Sequence, residues 1–116
     1  MKIKTFQGGY DDNFCYLVWC QQTLDGIVVD PSVNPNTIFQ YIKDNNIQLS
    51  KIFITHTHYD HISYLSDFLN EYPDIIIYGY INTRESLGHN FKGVQHNDII
   101  PIFRFKIDLI NYNLYI

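Results

Sequence analysis

The stretch at positions 51–69, KIFITHTHYDHISYLSDFL, restricts the chain's options more than any other part of it. It opens with a short continuous apolar run, Lys51 to Ile54, the pattern of a strand buried on both faces. Ligand-type side chains follow at once: His56, His58, Asp60 and His61. Ile62, Leu65, Phe68 and Leu69 then recur at helical spacing until Pro73 interrupts. The sequence therefore predicts a buried strand that runs through a histidine cluster into a helix. The run IIIYGY that follows reads as the next buried strand.

The flanking segments predict the sheet to which that strand belongs. NFCYLVWCQQTLDGIVVD reads as two strands around a polar turn, with Asp25-Gly26 as the turn signal. Asp30-Pro31 closes the second strand, because proline cannot continue a ladder. Asn34 is placed to cap a helix and Pro35 suits its first position. Ile38, Tyr41 and Ile42 share one helical face, and the helix fades at Asn45-Asn46. Two successive strand–helix–strand passages predict a parallel sheet with helices packed on it, hence the α/β class. Near the end, Phe103, Phe105, Ile107 and Leu109 alternate with Arg104, Lys106 and Asp108, as in a half-exposed strand.

Length and charge narrow the function classes. The 116 residues, 46% of them hydrophobic, predict one domain over 1–116 with an adequate core. A net charge of -4 and eight scattered Lys and Arg residues do not form the basic face of a nucleic-acid binder. No apolar run approaches a signal peptide or a membrane span, so a cytoplasmic, membrane-free protein is expected. Cys15 and Cys20 fall five apart in FCYLVWC. In one strand that odd separation puts them on opposite faces, so they read as reduced thiols without chemistry.

The exit of a buried strand is where open α/β sheets place their sites, since loops converge there without being consumed by pairing. In an extended loop, residues two apart project the same way, which lets His56 and His58 grip one metal. Asp60 and His61, consecutive at the loop-to-helix turn, aim towards a second position. Imidazole nitrogen with carboxylate oxygen suits zinc, and iron or manganese as well. The bland alternatives are a solvated polar loop, or capping residues with Asp60 favouring the helix dipole.

With these residues the chain resembles the metallo-β-lactamase-fold hydrolases, and within them the glyoxalase II-like (hydroxyacylglutathione hydrolase) group. THTHYDH, DNFCYLV and GIVVDP carry the resemblance, which runs from the N-terminus to about residue 110. It implies the N-terminal half of an αββα sandwich. It also implies that His56 and His58 bind a first metal and Asp60 and His61 a second, with zinc the usual ion. A hydroxide bridging the two would attack a thioester carbonyl such as that of a hydroxyacylglutathione. The same loop serves lactonases, β-lactamases, nucleases and sulfur dioxygenases of the superfamily. Asp30, at a strand end beside the loop, has two readings: an acceptor that orients the loop, or an ordinary aspartate before a proline turn.

The sequence departs from that family in two places. The family often follows the loop with Ile-Gly-Gly, where this chain has Ile62-Ser63-Tyr64. A complete member also supplies three more ligands downstream, a histidine from a TPGHT-like loop, a bridging aspartate and a further histidine. Here FRFKIDLI is followed by NYNLYI. His89 and His96 read as loop or surface histidines and are given no ligand role. The expectation is therefore a truncated domain carrying half of the site, with a noncatalytic metal-binding or partner-binding remnant as the alternative. An apolar sheet face left uncovered is expected to drive self-association.

Overall fold

A computed structural model describes residues 1–9, 13–55, 63–80, 91–94, 99–100, 105–108 and 113–115. For Tyr80 and the last three strands only the backbone is described. Six strands form one sheet in chain order: β1 (Lys2–Gly8), β2 (Asn13–Trp19), β3 (Asp25–Val29), β4 (Gln48–Ile54), β5 (Ile76–Tyr80) and β6 (Phe91–Val94). The pairs β1–β2 and β2–β3 are antiparallel, while β3–β4, β4–β5 and β5–β6 are parallel. The change of direction coincides with the first helical crossover, α1 (Pro35–Asp44), and a second helix, α2 (Leu65–Glu71), joins β4 to β5. The expected α/β architecture is thus present. A separate three-stranded antiparallel sheet has the order β7 (Ile99–Ile100), β8 (Phe105–Asp108), β9 (Asn113–Tyr115). Among the described residues no helix is long and apolar enough to cross a membrane.

α1 forms as its residues dictate. The Asn34 carboxamide oxygen accepts from the Asn36 N–H at 3.0 Å, Pro35 opens the helix, and Pro35, Ile38 and Ile42 are buried. The helix stops at Asn45, and Asn46 follows with φ of 55°, a region that asparagine tolerates. Tyr41 meets the rings of Phe6 at 5.9 Å and Trp19 at 5.7 Å, both edge to face, so α1 lies over the β1–β2 end of the sheet. Phe39 does the same for α2, with ring centroids 5.0 Å from Phe68 and 5.7 Å from Tyr72.

Two local expectations change. The turn between β2 and β3 falls before Asp25-Gly26, which lie inside β3; Leu24 takes the positive φ of 65°. Gly26 is there for proximity instead, because a Cβ on it would come within 2.6 Å of the Ile47 Cγ2. β4 also begins earlier than Lys51, at Gln48, with the pairing to β3 shifting between Gly26 and Ile27. Ser50 is the residue that the shift leaves without an opposite partner.

The sheet face opposite the helices is less open than the sequence implies. Cross-strand register puts Ile3, Phe14, Tyr16, Val18, Ile27, Val29, Phe53 and Tyr78 on it. Val18, Ile27, Val29, Phe53 and Tyr78 are buried; large exposure is confined to Ile3 at 53% and Phe14 at 47%, at the β1–β2 end.

Candidate metal loop and its supports

His56, His58, Asp60 and His61 lie outside the described residues, as do His89 and His96. What is described is the ground on either side of the loop, and both sides are tied to the same two residues. Asp30, directly after β3, is buried and donates its backbone N–H to the Phe53 carbonyl at 2.9 Å. Its carboxylate then reaches across to the end of β4. One oxygen accepts the Thr55 backbone N–H at 2.7 Å, and the other accepts the Thr55 hydroxyl. Thr55 is the residue before His56. On the far side, the Tyr64 N–H donates to the Pro31 carbonyl at 3.0 Å. Thr55 and Tyr64 are therefore bonded to consecutive residues of the β3 exit, Asp30 and Pro31.

Asp30 adopts φ of 55°, a left-handed conformation costing roughly 1–2 kcal/mol for a residue with a Cβ. Hydrogen bonds to a charged carboxylate contribute about 1.5–3 kcal/mol each, so two of them to Thr55 more than hold the residue there. Ser32 adds to the anchor: its N–H donates to the Asp30 carbonyl at 2.7 Å, and its hydroxyl bonds that carbonyl at 3.3 Å and the Phe14 carbonyl at 3.2 Å. Gly9 completes the wall with φ of 79°; a Cβ there would lie 2.2 Å from the Ser32 carbonyl oxygen, so only glycine fits. Of Asp30's two sequence readings, acceptance of hydrogen bonds is observed, from Thr55, and Asp30 also stands at the strand end before Pro31. Ser32 and Gly9 were not legible as part of this anchor, because their roles depend on a close approach between β1 and the β3 exit.

Beneath Asp30 lies Cys15, whose thiol is pushed up to about 12 by burial, with Asp30's negative charge adding to the effect. It is a neutral core group. Cys20 sits past the end of β2, not within it, and its pKa is lowered because the Thr23 hydroxyl, and then the Thr23 and Gln22 backbone N–H groups, bond the sulfur. Both cysteines are free.

The donor set and its surroundings fit a metal. Three imidazoles and a carboxylate are ordinary zinc, iron or manganese donors. The described residues on either side of them, Thr55 and Tyr64, are each bonded to the β3 exit. Ser63, two residues beyond His61, keeps a buried hydroxyl with no hydrogen-bond partner among the described residues, a polar group left over at the loop's exit.

Comparison with known proteins bears on the family and the fold. Hydroxyacylglutathione hydrolase of Haemophilus ducreyi is 30% identical over 100 residues, which make up 86% of this chain and 40% of that protein. The chain spans about 40% of the length of the curated relatives it matches. Among solved structures, BLEG-1 B3 metallo-beta-lactamase superposes with a TM-score of 0.74 at 17% identity, over 90% of this chain and 59% of that one. TTHA1623 in a di-iron-bound form gives 0.73 at 15% identity with the same two coverages. Identities this low speak for the fold alone. The model of the metallo-beta-lactamase superfamily, a family of metal-binding proteins, matches residues 8–111, and this chain belongs to that superfamily.

Proposed function

We propose that the chain provides the metal loop of a thioester hydrolase of the hydroxyacylglutathione hydrolase type. His56 and His58 hold one ion, Asp60 and His61 the other, and zinc is the ion expected, with iron or manganese as substitutes. The observation that carries this reading is the pair of hydrogen bonds from Thr55 to Asp30, immediately before His56. A buried carboxylate in a left-handed conformation that grips the residue before His56 makes sense where the next side chain must be aimed. When bound, the ions supply Lewis acidity and an activated water for attack on an acyl carbon. The chain's own part is to aim the donors: Asp30 sets the entry of the loop and Pro31 its exit. A thiolate departs from a thioester without needing a proton, so no general acid is required of the residues.

The test is zinc uptake by the purified chain, measured as metal per protein after dialysis, followed by hydrolysis of a 2-hydroxyacyl glutathione thioester. Tight zinc that is lost in His58→Ala supports the loop assignment. Failure to retain zinc, iron or manganese would sink it. Zinc bound without turnover supports the second reading, a noncatalytic metal-binding chain. That reading draws on the count of ligands, since four shared between two ions leave two each and a catalytic zinc commonly has three.

A further inference from the structure

Cross-strand register sets Ile3, Val18, Ile27, Lys51 and Ile76 in one row across the sheet face opposite the helices, from β1 to β5. All but Lys51 are apolar. It sits half-buried on β4, an interior strand, between the fully buried Ile27 and the half-buried Ile76. The neighbouring row runs Thr5, Tyr16, Val29, Phe53, Tyr78 and Lys92, so Lys92 stands diagonally across β5 from Lys51. On β3, Asp25 shares the face, two residues before Ile27. Lysine is commonplace on an edge strand, where its charge discourages pairing, as with Lys2 and Lys4 of β1. In the middle of a sheet it has no such use.

The surroundings of Lys51 work against its charge. Among the described residues no carboxylate lies within ion-pair distance of it. Burial lowers the pKa of its ammonium, Asp25 opposes this from further off, and Lys92 lowers it again by like-charge repulsion. Tyr78, on β5 between the two lysines, has its pKa raised by burial and is neutral at physiological pH. Lys2, Lys4, Lys43 and Lys92 are all exposed. A partly desolvated lysine beside a second cation carries more unprotonated, nucleophilic amine near neutral pH than an exposed one.

We propose that Lys51 is a modification site, an acceptor of short aliphatic acyl groups from thioesters. The free amine attacks the acyl carbon, the C–S bond breaks, the nitrogen gives up a proton and the sulfur leaves as a thiol. An amide results, with no oxidant or reductant required. The product also suits its place, since acylation removes a charge from between two isoleucines and ends the repulsion from Lys92. This goes beyond the metal-loop reading and does not depend on it.

The experiment treats zinc-free protein near neutral pH with the acetyl thioester of N-acetylcysteamine, a neutral probe, and follows acetylation of each lysine by peptide mass spectrometry. Lys51 should react about threefold faster than the exposed Lys2, Lys4 and Lys43. The preference should vanish in urea and shrink as pH rises through the ordinary lysine range, where every amine is free. Lys92→Gln should slow Lys51 by about twofold and Asp25→Asn should speed it by about as much, with melting curves checking that both keep the fold. Acetylation of Lys51 no faster than that of Lys43 in the wild type overturns the assignment. A Lys51 rate indifferent to both substitutions, or a preference that survives in urea, overturns it as well. None of these outcomes touches the metal loop, whose own test is zinc retention.

Discussion

At the scale of single residues, Asp30 concentrates more constraint than any other described side chain near the loop. Its backbone extends the β3–β4 ladder by one bond, its carboxylate extends it by two more, and its φ is tolerable only because those bonds offset the strain. Replacement with alanine removes both carboxylate bonds but keeps the unfavourable φ. Asp30→Ala should therefore lose about 3 kcal/mol in urea unfolding, and zinc affinity should fall roughly 10–100-fold, as for other outer partners of metal ligands. Asparagine tolerates the left-handed region and can still accept the Thr55 N–H, so Asp30→Asn should lose less of both. Zinc affinity unchanged in Asp30→Ala would mean that the anchor shapes the fold without aiming the loop. That Asp30 closes β3 was legible in the sequence, because a strand end before proline is a fixed landmark. That it reaches Thr55 was not, since the contact crosses two parallel strands separated by 25 positions.

At the scale of elements, the segments with one dominant period were read correctly and those with mixed signals were not. α1, α2, β2, β3 and the parallel order follow from helical spacing or from continuous apolar runs. β1 escaped notice because its apolar residues Ile3 and Phe6 lie on opposite faces, so no alternation shows, and only Phe6 is buried. Asp25-Gly26 misled for a comparable reason: the dipeptide is a turn signal, yet this glycine makes room for Ile47. The two helices are joined chiefly through Phe39, whose ring meets both Phe68 and Tyr72. The Lys43–Glu71 ion pair between the same helices is exposed at 3.6 Å and contributes little. Phe39→Ala should thus cost about 3 kcal/mol in unfolding free energy, whereas Lys43→Ala should stay within about 0.5 kcal/mol. Because α2 starts at the exit of the metal loop, Phe39→Ala should also weaken zinc. Equal stability of the two variants would refute this account of how the helices are held.

At the scale of the whole molecule, the question is which surface is left for another copy of the chain. The central strands bury both faces, as Phe53 and Ile52, adjacent in β4 and pointing opposite ways, are each fully buried. The outer edge of β1 is guarded: Lys2 and Lys4 lie along it, and the Lys4 ammonium sits 5.6 Å from the Tyr41 ring centroid. Edge-to-edge pairing of two copies would bring those lysines together, which disfavours it. The face of the β1–β2 hairpin carries no such guard. Ile3 and Phe14 share it with Tyr16, whose ring stacks on Phe14 at 6.2 Å. We propose that self-association, where it occurs, uses this face. Threonine keeps strand propensity while removing most of the apolar area, so Ile3→Thr combined with Phe14→Thr should leave the fold intact. In sedimentation equilibrium the wild type should show mass rising with concentration above the 13.8 kDa chain, and the double variant should stay near it. Identical concentration dependence in the two proteins, or a wild type that remains monomeric throughout, would remove the hairpin face as an interface.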